Sequence, residues 1–262
     1  MLNSSVSVVI PAFNCESTIA RAINSVLNQT MLPLEIIVVD DQSTDGTLNK
    51  LQEIQSTSSV VTKIFQTEVN SGPGLARNLG WDNAAGDYVA FLDADDSWVS
   101  FKLEKQVKFL QANPEFHAVS GQSSMWTANG AAISEPDVCK FSEPTLLGLM
   151  FKNPIKMRTV VLRRSIEGRF SSGYSEDYGL WLQLLVTKHR FAVLRHVLAY
   201  HYKHEFGAGG LSANLYRHET YEIRRIKSVN GSLPVLIIYS AMAFSYLKFA
   251  RRVLISYLRK II

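Results

Sequence analysis

The chain has 262 residues, of which 47% are hydrophobic and 19% are charged, a balance typical of a folded globular protein with one large domain. Its net charge of +4 arises because residues 223–262 carry eight basic and no acidic side chains, while residues 1–222 have a net charge of −4, so nucleic-acid binding is not predicted. The two cysteines, Cys15 and Cys139, lie far apart, which argues against a disulfide framework or a zinc cluster and favours a reducing compartment.

The first hundred residues alternate between strand and helix patterns. Apolar runs rich in β-branched residues predict four buried strands, at residues 6–10, 34–39, 60–65 and 88–92. Helical spacing of apolar residues predicts helices between them, at residues 17–28, 45–54 and 73–84. The first run follows no basic segment and is cut short by Pro11, so we expect a strand and not a signal peptide. This order indicates a parallel sheet covered on both faces, which binds ligands at the carboxyl ends of its strands.

The pattern is less regular beyond residue 101. Helices are predicted there at residues 101–110 and 178–187, a strand at 116–121, and a loop or short hairpin at 122–145. We expect residues 106–222 to complete the same domain and not to form an independent module.

An acidic turn follows the fourth strand. Asp93, Asp95 and Asp96 stand within four residues at the expected carboxyl end of residues 88–92. Hard oxygen ligands in such a place suit Mg²⁺ or Mn²⁺, particularly with a diphosphate as co-ligand. The alternative is a solvated turn in which Asp95 or Asp96 caps a helix that begins near Trp98.

Two further segments carry polar groups at strand or helix ends. Asp41 follows the second strand, where its carboxylate could accept the imide N–H of uracil or thymine; a capped helix start is the alternative. Residues 70–80 combine a flexible loop around Gly72, a helix start at Pro73 and Arg77 one turn later, a combination that suits a diphosphate. This loop matches neither the Walker pattern nor G-x-G-x-x-G.

Five segments in this order resemble the large glycosyltransferase family 2, whose members adopt the GT-A fold. They span roughly residues 5–212 and are Ile10-Pro-Ala-Phe-Asn14, Val39-Asp-Asp-Gln-Ser-Thr-Asp-Gly-Thr47, residues 72–78, Phe91-Leu-Asp-Ala-Asp-Asp96 and Ser175-Glu-Asp-Tyr-Gly-Leu-Trp181. The resemblance implies an α/β GT-A fold with a mostly parallel, Rossmann-like sheet and helices on both faces. It also implies a nucleotide-sugar-binding half at residues 1–105 and an acceptor-binding half at 106–222. The basic segment at 223–262 is expected to follow as a C-terminal helical tail.

The resemblance assigns roles around the nucleotide. Pro11 and Asn14 would shape the first loop, and Asp41 would bind N3–H of uracil, which favours a UDP-sugar donor and leaves a dTDP-sugar possible. Arg77 would lie near the ribose or diphosphate, and Asp93 near the ribose.

The same resemblance implies a divalent cation, Mn²⁺ or Mg²⁺. Asp95 would hold the cation against the diphosphate, with Asp96 in support. His204 aligns best with a histidine that many relatives place beside the cation, and His201 is its competitor.

Asp177 is the expected general base, with Glu176 beside it in a supporting role. Asp177 would accept the proton of an acceptor hydroxyl as that oxygen displaces UDP with inversion. The alternative is a charged helix N-terminus. No Q-x-x-R-W motif follows Asp177, so we expect transfer of one sugar and not processive synthesis. Residues 153–158 depart from the family pattern at Met157 and Arg158, and acceptor identity is therefore not carried over.

The tail contains an uncharged stretch at residues 233–247, shorter than the roughly 20 residues that a membrane-spanning helix needs. Basic residues interleave with aliphatic ones after it, which favours an interfacial helix or helical hairpin on anionic lipid. A helix packed on the body or at a dimer interface is the alternative. A membrane surface fits a lipid-linked saccharide acceptor, as in bacterial surface polysaccharides such as O-antigen, and predicts an enzyme bound peripherally to the cytoplasmic face of the inner membrane.

Two other functions stay open at this point. A polyprenyl-phosphate glycosyltransferase would have the same fold but need no general base, because a phosphate is already a nucleophile. A catalytically silent nucleotide-binding assembly protein is disfavoured, since a silent site gains nothing from uncompensated carboxylates.

Overall fold

A computed structural model of the protein describes residues 4–127, 133, 140–203 and 214–261. Within these residues nine strands form one sheet: β1 (Val6–Ala12), β2 (Glu35–Asp40), β3 (Val61–Gln66), β4 (Tyr88–Phe91), β5 (Ser97–Trp98), β6 (Ala118–Met125), β7 (Phe141–Ser142), β8 (Val161–Arg163) and β9 (Phe191–His201). The helices are α1 (Ile19–Leu27), α2 (Thr47–Thr57), α3 (Pro73–Asp82), α4 (Lys102–Ala112), α5 (Leu146–Phe151), α6 (Glu176–Val186), α7 (Leu215–Ser228) and α8 (Val235–Ile261).

The sheet has the strand order β3-β2-β1-β4-β8-β6-β9-β5, and β7 pairs with β9. Its first four strands are parallel, as the β-branched runs predicted. The direction changes beyond β4, because β8 pairs antiparallel with both β4 and β6, while β6 and β9 run parallel to each other. The carboxyl ends of β1, β2 and β4 therefore share one edge with those of β6 and β9.

Helices cover both faces of the sheet, which confirms the predicted layer arrangement. Successive residues of β1 point to opposite faces: Val8 packs in the same apolar cluster as Ile23 of α1, whereas Val9 packs in the cluster that contains Trp81 of α3 and Trp181 of α6. Both faces of β1, β2 and β4 are thus buried, which explains their near-continuous apolar sequences, whereas β3 at the edge of the sheet is partly exposed and carries Thr62, Lys63 and Gln66.

The strands β8 and β9, which complete the sheet, were not predicted from the sequence. β8 has only three residues and carries no periodic pattern. The apolar pattern of β9 is interrupted by Arg195 and His196, in the part of the strand where the pairing with β6 changes register. A polar interruption at a bulge removes the alternation by which a strand is recognised. Within the predicted loop at 122–145, residues 128–132 and 134–139 lie outside the described residues.

The tail forms helices, as predicted, but α7 begins at Leu215, eight residues before the expected boundary at 223. One face of α8 packs on the body, where Ile238 and Ala241 are buried. Lys248 Nζ lies 2.8 Å from Glu222 Oε1 of α7, and Arg252 lies 3.1 Å from Glu222 Oε2. These two basic side chains therefore pair with Glu222 of α7 and do not point outward. No helix among the described residues is long and apolar enough to cross a bilayer.

Candidate active site

Asp41 lies directly after β2 and is buried at the carboxyl-end edge of the sheet. Its Oδ1 accepts hydrogen bonds from the Thr67 hydroxyl (2.8 Å) and from the Ser71 amide and hydroxyl (2.9 and 3.0 Å). Its Oδ2 accepts one from the amide of Gly72 (2.7 Å), whose φ of +86° favours glycine. The carboxylate thus fixes the loop before α3, and Oδ2 keeps capacity for one more N–H donor.

Asn14 joins the loop after β1 to the loop after β2. Its backbone N–H donates to Ser43 Oγ (3.0 Å), and its Oδ1 accepts from the Thr44 amide (2.8 Å). Pro11 is buried within β1 and shapes this edge from inside the sheet. Phe13 lies between Pro11 and Asn14 in the sequence and is 49% exposed, and it had no predicted role. An exposed ring at this edge could stack on a nucleobase.

Arg77 is the central residue of the site. Its guanidinium donates from one nitrogen to Asp93 Oδ1 (2.6 Å) and from another to Glu176 Oε1 (2.8 Å), and the arginine is only 5% exposed. A Cβ on Gly74 would lie 2.8 Å from Glu176 Cγ, so glycine lets α3 approach α6 this closely. Both ends of the guanidinium are thus paired with carboxylates. The expectation that Arg77 lies near the ribose or diphosphate stays a prediction.

The three carboxylates of the acidic turn have different surroundings. Burial acts to raise the pKa of Asp93, but Arg77 and then Arg158 outweigh it and hold that pKa below its usual value. Asp96 is buried and pairs with Arg158 Nε (2.7 Å); burial and the nearby Asp93 raise its pKa to about 8 against the effect of Arg158. Asp95 has the most exposed carboxylate of the three, and Lys203 Nζ lies 3.2 Å from its Oδ2.

The fit of a divalent cation rests on Asp95. The described residues contain no group of three His, Cys, Asp or Glu side chains that could hold a metal by themselves. His204 lies outside the described residues, and His201 ends β9. A Mg²⁺-type cation usually takes one or two carboxylates plus substrate phosphates, so Asp95 fits such a cation only when a diphosphate completes its ligands.

Asp177 lies in the first turn of α6, half-buried, with its Oδ1 accepting from the Tyr178 amide (2.7 Å). Burial is the main cause that raises the pKa of Asp177 to about 6, and the charge of Glu176 adds to it. Ser175, directly before the helix, has a φ of +52°, which is uncommon for a residue other than glycine. A carboxylate with a pKa near 6 is deprotonated at neutral pH and is still basic enough to accept a proton.

Three cationic residues near the acidic turn had no predicted role. Arg158 pairs with Asp96, Lys203 pairs with Asp95, and Arg21 of α1 donates to the backbone carbonyl of Asp95 (2.7 Å). Arg158 was noted in the sequence only as a departure from the family pattern. Its guanidinium offsets part of the cost of burying Asp96, although burial and Asp93 still raise the pKa of that carboxyl.

Comparisons with known proteins identify the family of the chain. The family described as Glycosyl transferase family 2 matches residues 7–134 of the chain. WfaP of Escherichia coli, named UDP-Glc:alpha-D-GlcNAc-diphosphoundecaprenol beta-1,3-glucosyltransferase, is 32% identical over 229 residues, which cover 86% of each chain. WfgD of Escherichia coli has the same named activity and is 35% identical over 186 residues, or 69% of each chain.

Solved structures show the same fold. S. aureus TarS 1-349 in complex with UDP-GlcNAc aligns with a TM-score of 0.68 at 23% identity, over 95% of this chain and 72% of that one. The mannosyltransferase PcManGT from Pyrobaculum calidifontis, in complex with GDP-Man and Mn²⁺, also aligns with a TM-score of 0.68, at 18% identity over 93% of this chain and 73% of that one. The chain therefore has the GT-A fold, belongs to glycosyl transferase family 2 and is a glycosyltransferase.

Proposed function

We propose that the protein transfers one sugar from a UDP-sugar to a hydroxyl of a saccharide acceptor, with inversion and with the help of a divalent cation. The observation that carries this proposal is the double ion pair of Arg77. It holds Asp93 of the acidic turn against Glu176, the neighbour of Asp177. The proton acceptor therefore lies beside the turn that would face a diphosphate. The UDP-Glc in the names of WfaP and WfgD supports a uridine nucleotide.

The reaction would be a single displacement. The acceptor oxygen forms a bond to the anomeric carbon while the bond from that carbon to UDP breaks, and UDP leaves with the electron pair. The acceptor hydroxyl proton passes to a carboxylate oxygen of Asp177. The amide of Tyr178 orients that carboxylate from the helix side.

Asp95 would hold Mn²⁺ or Mg²⁺ together with the diphosphate. Asp96 would support Asp95, and His204 is a candidate further ligand. The cation would supply charge neutralisation for the departing UDP. Lys203 has to leave Asp95 for this to happen. Its side chain is 56% exposed, and exposed ion pairs contribute little stability, so the cost of moving it is small.

Nucleotide binding is the first test of this proposal. We expect wild-type protein to bind UDP about tenfold or more tightly with Mn²⁺ than without it, because the cation joins Asp95 to the diphosphate. Asp95→Asn should lose this dependence on Mn²⁺ while keeping the fold. Isothermal titration calorimetry with UDP, dTDP, GDP and CMP, each with and without Mn²⁺, measures both effects.

Asp82→Asn is the matched control, since Asp82 is an exposed carboxylate at the far end of α3. It should bind UDP as the wild type does. Equal UDP binding with and without Mn²⁺ in the wild type would contradict the cation assignment. A preference for GDP, the nucleotide seen in PcManGT, would contradict the role of Asp41.

The acceptor is proposed to be lipid-linked, and α8 offers a surface for the membrane. The side of α8 away from the body presents an apolar stripe at helical spacing, formed by Leu236, Tyr239, Leu247, Leu254 and Tyr257, each more than half exposed. The undecaprenol in the names of WfaP and WfgD supports a membrane-bound substrate. Of the tail's basic residues, Lys248 and Arg252 are engaged with α7, so apolar insertion carries more of the proposed affinity than charge does.

Replacing the three exposed leucines of this stripe with serine should abolish membrane binding. At about 1 kcal/mol for each leucine inserted into lipid, the partition constant falls about 100-fold. Flotation with phosphatidylethanolamine–phosphatidylglycerol vesicles measures the bound fraction. The control replaces three exposed apolar residues near the amino ends of β2 and β3 with serine, namely Leu32, Leu34 and Val61. Equal flotation of both triple variants would refute the role of α8.

A further inference from the structure

An aromatic pair stands where β6 and β9 end. These two strands run parallel with Met125 opposite His201, and the amide of Trp126 donates to the carbonyl of His201 (2.9 Å). The rings of the next residues, Trp126 and Tyr202, stack with centroids 5.5 Å apart and planes inclined by 25°. The pair therefore lies at the same edge of the sheet as the acidic turn.

Three contacts hold this pair beside Asp95. The Tyr202 hydroxyl is 2.9 Å from the hydroxyl of Ser97, two residues after Asp95. The guanidinium of Arg21, which donates to the Asp95 carbonyl, lies 3.6 Å from the centre of the Tyr202 ring. Lys203, next to Tyr202, pairs with the Asp95 carboxylate. Tyr202 is thus fixed through its hydroxyl and its ring, and Trp126 packs on a rigid partner.

Trp126 is exposed, whereas the other three tryptophans are buried. Trp81, Trp98 and Trp181 are 5% exposed or less, whereas Trp126 is 45% exposed. Leaving this much indole in water forgoes hydrophobic stabilisation, so the core does not account for its position. A flat, rigid aromatic surface beside polar groups is well suited to the apolar face of a pyranose ring, whose C–H groups pack on the electron-rich face of an indole.

We infer that Trp126, supported by Tyr202, is a platform for a pyranose ring of a substrate. This inference rests on the proposed function, because it assumes that a saccharide is bound near Asp95. Two sources of that ring share the same chemistry: the sugar of the donor and the sugar of the acceptor next to the reacting hydroxyl. The platform adds affinity for the ring itself and none for UDP.

Acrylamide quenching of tryptophan fluorescence tests the platform, because Trp126 is the tryptophan that the quencher reaches readily. The probes are UDP, three UDP-sugars (glucose, galactose and N-acetylglucosamine) and a short-chain lipid carrying α-N-acetylglucosaminyl diphosphate, all with Mn²⁺. We expect at least one saccharide probe to protect the wild-type protein more than UDP does. Protection by a UDP-sugar identifies the donor ring, and protection by the lipid probe identifies the acceptor ring.

Trp126→Ala and Trp126→Phe supply the matched variants. Calorimetry should show about tenfold weaker binding of the protecting probe to Trp126→Ala, a smaller loss for Trp126→Phe, and unchanged affinity for UDP. The thermal unfolding midpoints should stay close to that of the wild type, since the ring is half exposed. No added protection by any saccharide probe, together with equal affinities of Trp126→Ala and wild type, would overturn the platform. Failure of the wild type to bind UDP would instead contradict the proposed function, and the lipid probe would still test the platform.

Discussion

Asp177→Asn is expected to lower sugar transfer by about 10²–10⁴-fold while leaving Mn²⁺-dependent UDP binding unchanged. The amide has nearly the same shape as the carboxylate but cannot accept the acceptor's proton as its oxygen attacks. We expect donor binding to be unaffected because the proposed role of Asp177 is to accept the proton of the acceptor hydroxyl. UDP release measured at saturating donor and acceptor gives kcat, and calorimetry gives the affinity for UDP.

The pH dependence of transfer provides a second observable for the same residue. Burial, with the charge of Glu176, raises the pKa of Asp177 to about 6. A general base acts in its deprotonated form, so kcat/KM should fall as pH drops below about 6 and level off above it. In Asp177→Asn this acidic limb should be absent from the residual activity. A profile from pH 5 to pH 8 in the two proteins measures the difference.

The stability of Asp177→Asn distinguishes loss of the general base from damage to the fold. The folded-state pKa of about 6 exceeds the ordinary aspartate value of about 3.9, so the folded state holds this proton more tightly than the unfolded state. The contribution of Asp177 to stability is therefore present below about pH 4 and is lost as pH rises through about 6. Asp177→Asn should accordingly be no less stable than the wild type at pH 8, as judged by urea unfolding.

Retention of full transfer by Asp177→Asn would contradict the assignment. It would favour a phosphate acceptor, which is nucleophilic without a base, over a hydroxyl acceptor. Glu176→Gln is the companion variant, because Glu176 is already occupied by Arg77. The kcat of Glu176→Gln should fall only to the extent that the substitution displaces Asp177. This variant should keep the acidic limb of the pH profile.

The sequence was sufficient to predict the half of the fold that has local patterns. The strands β1, β2 and β4 are nearly continuous apolar runs, β3 contains apolar and β-branched residues, and the helices between the strands have regular spacing, so each was recognised from its own residues. The acidic turn and Asp41 were placed at one edge by the general rule for parallel sheets. That rule needs only the order of the elements.

The remaining features depend on contacts between distant residues. Arg77 and Glu176 are 99 positions apart, and no local pattern indicates that α3 and α6 meet. The charge of Arg77 suggested a diphosphate because its partners were unknown. The pairing of Arg158 with Asp96 could not be predicted for the same reason, because the two residues are distant in the sequence. The packing of α8 required knowledge of α7, since Glu222 determines which of its basic residues point inward.

Arg77→Met is expected to destabilise the protein by about 3 kcal/mol at neutral pH, because it leaves the buried Glu176 and the partly buried Asp93 without their shared cation. Arg77 helps to hold the pKa of Asp93 below its usual value, so that carboxylate is ionised in the folded protein. The stability that this pairing provides is present above about pH 4, the ordinary aspartate pKa, and is lost as pH falls through the lower folded-state value. The difference between Arg77→Met and wild type should therefore shrink in acid. Urea unfolding at pH 7.5 and at pH 3.5 measures both quantities.

Arg169→Met is the matched control, because Arg169 also pairs with a carboxylate, that of Asp82 at 2.7 Å, but with both side chains more than a third exposed. It should lose only about 1 kcal/mol, since solvent screens the pair. Adding Glu176→Gln to Arg77→Met should restore part of the stability, because one of the two stranded charges is removed. If Arg77→Met were no less stable than Arg169→Met, the two halves of the site would not be held together by this arginine. The close placement of Asp177 beside the acidic turn would then need another cause.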